Sequence, residues 1–112
     1  MEAGRELDVK VAEALGYEVG KFPPDYYIVV DGDIEALPHF SSKWQGMGVL
    51  VEEAKKDEIY LEYSHVLKGG YYGIACSFDD GEYQMDYSTE LALPTAPHAV
   101  ALAYLMARGI DI

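Results

Sequence analysis

Tyr71-Tyr72-Gly73-Ile74-Ala75-Cys76-Ser77-Phe78-Asp79-Asp80-Gly81-Glu82-Tyr83-Gln84-Met85-Asp86-Tyr87 reads as a β-hairpin. Tyr72, Ile74, Cys76 and Phe78 alternate in phase along a first strand over 71–78, and Tyr83, Met85 and Tyr87 continue on the return strand. Asp79-Asp80-Gly81-Glu82 between them supplies the residue types of a tight hairpin turn. Upstream, Glu58 to Ser64 alternates as cleanly: Ile59, Leu61 and Tyr63 face one way, Tyr60, Glu62 and Ser64 the other. Three such strands in succession predict an antiparallel meander. Apolar residues on both faces predict cover on both sides.

Helices to supply that cover are predicted on either flank. Residues 2–15 place Ala3, Leu7, Val11, Ala14 and Leu15 on one face, and Gly16 suits the stop. Pro23 and Pro24 forbid continuation. Tyr26 to Val30 is a short β-prone run closed by Asp31-Gly32-Asp33, and residues 34–41 read as a loop. A second helix over about 42–56 takes Ser41 or Ser42 as its N-cap and carries Trp44, Met47, Val51 and Ala54 on one stripe. Gly46 and Gly48 lie inside it, each costing about 1 kcal/mol relative to alanine. A third helix over about 96–108 starts at Thr95, tolerates Pro97 in its first turn and ends at Arg108-Gly109. The expected fold is α+β: an α/β/α sandwich of order α-β-α-β-β-β-α, with an antiparallel sheet of about four strands covered by helices.

The 112 residues are expected to form a single domain, 1–112. Eight basic residues face twenty acids, a net charge of −12. That field opposes binding to a DNA or RNA polymer. Cys76 is the lone cysteine, which points to a reducing cytoplasm, and its strand phase predicts a buried, inert thiol. The N-terminal stretch lacks the apolar core of a signal peptide, and no run is long enough to span a membrane.

Little in the chain speaks for catalysis. His39, His65 and His98 have no metal-ligand spacing, and no nucleophile elbow, P-loop or dinucleotide fingerprint occurs. No catalytic residue, metal or cofactor is expected. Eight of the ten tyrosines, Tyr26/Tyr27, Tyr60/Tyr63, Tyr71/Tyr72 and Tyr83/Tyr87, are spread over every predicted strand. Sheet packing accounts for most of them, and a few are candidates to stack on a planar ligand. The starts of the second and third helices are candidate anion sites, and Arg108 is either a dipole-compensating cation or a phosphate clamp.

Three segments carry a resemblance. They are Met1-Glu2-Ala3-Gly4-Arg5-Glu6-Leu7-Asp8, then Pro38-His39-Phe40-Ser41-Ser42 with Val49-Leu50-Val51-Glu52-Glu53, then Thr95-Ala96-Pro97-His98-Ala99-Val100-Ala101-Leu102-Ala103. In this order, over nearly the whole length, the chain resembles the phage ABA-sandwich domain family. Phe40 stands where tyrosine is usual, and Gly46 and Gly48 where alanine and tryptophan are usual, with Trp44 moved toward the cap. The resemblance implies a helix–sheet–helix sandwich of phage origin. It is similar in layout to phage sponge proteins that counter Thoeris-type immunity by binding cyclic ADP-ribose isomers, as oligomers, without degrading them.

The expected function is therefore a non-catalytic, cytoplasmic anti-defence protein in an infected bacterium. It would sequester a nucleotide-derived second messenger, a cyclic ADP-ribose isomer or a cyclic oligonucleotide, as a homo-oligomer. Trp44, Tyr71 and Tyr72 are the candidate stacking residues. Ser41, Ser42 and Arg108 are the candidate phosphate contacts, and Gly48 makes room beside them. The alternative is an acidic protein–protein interaction module that inhibits a host factor.

Overall fold

In the computed structural model, which describes residues 1–111, helix α1 (Arg5–Ala14) leads into strands β1 (Glu18–Phe22), β2 (Asp25–Val30) and β3 (Asp33–Ala36). Helix α2 (Trp44–Lys55) precedes β4 (Tyr60–His65), β5 (Tyr71–Asp79) and β6 (Glu82–Ser88), and α3 (Ala96–Ala107) closes the order. Ile112, the last residue of the expected domain, lies outside the described residues. The α+β class, the three helices and the antiparallel meander are as expected. The strand count is not: six strands form two sheets, β1-β2-β3 and β4-β5-β6.

The missing strands flank the one that was legible. Pro23-Pro24 is the connection of a hairpin that pairs Phe22 with Asp25 and Glu18 with Val29. Residues 33–36, expected as the end of a turn and the start of a loop, pair with 27–30. Asp33, Ile34, Glu35 and Ala36 are all exposed, so the burial-driven alternation that marks a strand is lacking there. Both Asp-Gly turns close two-residue hairpins, with positive φ at Asp31, Gly32, Asp80 and Gly81. Near the middle of the β5–β6 ladder Ala75 pairs with Tyr87 but Cys76 with Met85, so Asp86 is the extra residue of a bulge.

The helices lie between the two sheets. α1 packs on β1 and β2, α3 packs on α1, α2 and all three strands of the second sheet, and α2 leans on β4. α3 is buried almost all round, with Ala96 to Tyr104 nearly continuous in the core alongside Leu105. This is the position an all-apolar helix requires. Its closest approach is to Gly73, where an added Cβ would collide with the backbone carbonyl of Ala99. The core-facing side of β5 is therefore Gly73 and Ala75, while Leu61 faces the core from β4.

This reverses the expected facing of β5. Tyr72, Ile74, Cys76 and Phe78 point away from the helices, and small residues sit beneath α3 because a large one would not fit. Cys76 is buried, as expected, but outside the core cluster. Its thiol lies 3.8 Å from Glu62 Oε1 on the outer face. Burial and, after it, the Glu62 charge raise the thiol above its ordinary range.

Candidate functional site

The loop between β3 and α2 is held by side chains of α1. Asp8, fully buried, accepts the Ser41 backbone N–H at 2.8 Å and the Ser41 hydroxyl contacts the same Oδ1 at 2.7 Å. Ser41 Oγ in turn accepts the Gly4 N–H. Arg5 completes the clamp: Nε and Nη2 donate to Asp25, Nη1 to Asp8 and the Pro38 carbonyl, and Nη2 to the Leu37 carbonyl at 2.7 Å. Those bonds occupy all five guanidinium N–H groups. Burial opposes the Arg5 charge, but the bonds it donates to Asp25 and Asp8 outweigh it and raise its pKa. The opening Gly4-Arg5…Asp8 and the central Pro38…Ser41 are thus one structural unit.

That unit corrects the expected helix start. Ser41 does not cap α2, because its hydroxyl is taken by Asp8 and Gly4. The N-cap is Lys43, which is extended and makes no side-chain cap. No acid stands in the first turn either. An uncapped first turn leaves backbone N–H groups for an anion, so the anion-accepting feature moves from Ser41-Ser42 to Lys43–Gly46. A cleft of about 360 Å³ lies beside it, lined by His39, Lys43, Gln45 and Gly46 on the helix side and Arg5 and Asp25 opposite. With Arg5 saturated, Lys43 is the exposed cation of this cleft.

Trp44 emerges from the same turn toward the second sheet. Its ring is edge-on to Tyr63 at 5.5 Å and to Tyr71 at 6.4 Å between centroids. Tyr63 and Tyr71 are 5.6 Å apart, and His65 adds a fourth ring 5.1 Å from Tyr71. The group forms because β4 runs out from under its helical cover. Leu61 is buried, whereas Tyr63 and His65, next on the same face, are exposed. Trp44 remains 53% exposed.

The two helix glycines have opposite roles. A Cβ on Gly46 would collide with the backbone carbonyl of His39, so Gly46 lets the clamped loop lie against α2. A Cβ on Gly48 would meet nothing within 4 Å. Gly48 lies one turn beyond Trp44 on the same side of the helix, and leaves the surface beside the indole low.

The sequence-derived candidates are thus divided. Trp44, Tyr71 and Gly48 come together. Tyr72 points to the opposite face of β5 from Tyr71. Ser41 is buried and fully engaged, and Ser42 is exposed but not at the cap. Arg108 pairs with Asp57 at 3.5 Å beyond the far end of α2, about 18 Å of helix from Trp44 at 1.5 Å per residue. Tyr63, His65 and Lys43 were missed. Tyr63 carried a signal, its phase with Ile59 and Leu61. His65 and Lys43 carried none. Among the described residues no group of three His, Cys, Asp or Glu side chains is placed to hold a metal ion, and no helix is long and apolar enough to cross a membrane.

Comparison with protein-family models, curated proteins and solved structures finds no match to this chain. The site offers a half-exposed indole backed by three further rings, next to a helix start with open N–H groups and a lysine. Such a surface stacks a planar ring and accepts an adjoining anion.

Proposed function

We propose that this chain binds and holds, without chemical turnover, a small nucleotide-derived signal such as a cyclic ADP-ribose isomer or a cyclic oligonucleotide. On this reading it is a phage anti-defence sponge working in the cytoplasm of an infected bacterium. The observation that carries the reading is the four-ring group around Trp44 at the uncapped start of α2. A base stacked on the indole is worth about 1–3 kcal/mol, and its phosphate meets Lys43 and the first-turn N–H groups. The resemblance to the phage ABA-sandwich family supports the same reading. The open surface of the rings supports a homo-oligomer on this reading, in which a second copy would close the surface into a pocket.

The test is to express the protein beside an active nucleotide-signalling immune system, purify it, denature it and identify what it releases. A stoichiometric, intact nucleotide-derived compound supports sequestration. A cleaved product indicates an enzyme, and no small molecule contradicts the proposal. A second reading, the acidic interaction module, draws on a separate observation: among the described residues the helices pack on the Gly73 and Ala75 side of β4-β5-β6 and leave its other face, with Phe78, Tyr83 and Met85, exposed.

A further inference from the structure

The outer face of β4-β5-β6 carries a second aromatic group. The rings of Tyr60 and Phe78 are 5.0 Å apart, Tyr60 and Tyr83 5.9 Å, and Phe78 and Tyr83 4.2 Å. Strand pairing puts them on one side: Tyr60 is opposite Cys76, and Tyr83 opposite Phe78. Met85 extends the patch and is 68% exposed, with Phe78 at 49% and Tyr83 at 57%. The helices pack on the other side of this sheet, through Gly73 and Ala75. Large side chains in mutual contact on a water-facing sheet mark an interaction surface.

Charge decides the kind of partner. Glu62 stands on the patch, Asp80 lies in the turn at its hairpin end and Asp86 sits in the bulge beside it, whereas Asp79 and Glu82 pair with each other on the other face of the sheet. Between Gly69 and Ala107 the sequence holds no lysine or arginine. A second copy docked face to face would set one acidic rim against another. A cationic segment meets the opposite situation. Arginine and lysine lay their aliphatic stems along the rings, their charges gain from the ring faces, and the head groups reach the surrounding carboxylates.

We infer that the outer face of β4-β5-β6 docks an arginine- or lysine-rich polypeptide segment of a partner protein, with Tyr60, Phe78 and Tyr83 as the apolar seat and Glu62, Asp80 and Asp86 as the charged rim. The surface lies on the opposite side of the sheet from Trp44, so the two sites act independently.

The test uses the full chain, isotopically labelled, with a synthetic peptide of alternating arginine and leucine as probe and its glutamate–leucine counterpart as control. Backbone amide shifts are followed by NMR. The expected result is a saturable shift confined to β4, β5 and β6, with the arginine peptide only. Glu62→Lys/Asp86→Lys weakens it by about tenfold, as reversal of two rim charges would. Glu6→Lys/Glu13→Lys changes the net charge equally on α1 and leaves it as it was. Phe78→Ser/Tyr83→Ser abolishes the shift while the α3 amides keep their native positions. Three outcomes overturn the proposal: shifts spread over the acidic surface at large, equal binding by the Phe78/Tyr83 variant, or self-association of the chain through this face in sedimentation.

Discussion

The buried Asp8 carboxylate receives Ser41 twice, through its backbone N–H at 2.8 Å and its hydroxyl at 2.7 Å. The two residues are 33 apart in sequence, and their contact fixes where α2 begins. A hydrogen bond to a charged group contributes about 1.5–3 kcal/mol. Ser41→Ala should lower the unfolding free energy by that amount in urea titration. Asp8→Ala leaves the buried Ser41 N–H and hydroxyl without their acceptor and removes one of the two carboxylates that Arg5 pairs with, and should cost more, about 3–5 kcal/mol.

Acid should loosen the same clamp. The hydrogen bond from Arg5, and after it the Tyr26 N–H, holds the Asp25 carboxyl below its ordinary range. A depressed carboxyl contributes stability that is complete above its unfolded pKa, near 4, and is lost as pH falls through the folded value. Stability should therefore fall on acidification below about pH 4. Asp25→Asn should be less stable at neutral pH and lose less on acidification, as read by thermal unfolding across a pH series.

Gly46 and Gly48 give a paired prediction two residues apart. Gly46→Ala drives a methyl into the His39 carbonyl and should destabilise by about 1–3 kcal/mol, as overpacking does. Gly48→Ala meets open space and should stabilise by roughly 0.4–1 kcal/mol through lower chain entropy and better helix propensity. Equal effects at the two sites would contradict the assignment of one glycine to packing and the other to the open surface.

Tyr104 is fully buried in α3, and its hydroxyl has no hydrogen-bond partner among the described residues. Burial raises its pKa. An unsatisfied buried hydroxyl costs about 1–3 kcal/mol. Tyr104→Phe should be neutral to stabilising, with a gain of up to about 1 kcal/mol in the unfolding free energy read from urea titration.

How far the sequence could be read follows from where its signals come from. The meander and the three helices were legible because alternation and helical periodicity record burial on one side. β5 shows the limit of that signal. Tyr72, Ile74, Cys76 and Phe78 looked like the inner face because they are large, but the inner face holds Gly73 and Ala75, which fit beneath α3. Periodicity gives the phase of a strand and not which phase is covered. β3 was invisible because all four of its residues are exposed. At the site, Trp44 and Tyr71 were found by residue type. Ser41 was misread because the helix cap and the buried Asp8 contact use the same hydroxyl, and only the fold decides between them.

Trp44 is the lone tryptophan, so the protein's intrinsic indole fluorescence reports on the proposed site alone. The most direct measurement is a fluorescence titration of the wild-type protein with cyclic ADP-ribose isomers and cyclic oligonucleotides, with the ligand recovered afterwards for mass spectrometry. The account predicts a saturable change in Trp44 emission with at least one compound and its recovery intact, with binding weakened by Tyr63→Ala in a chain that still unfolds cooperatively. Unchanged emission across the whole panel would contradict it.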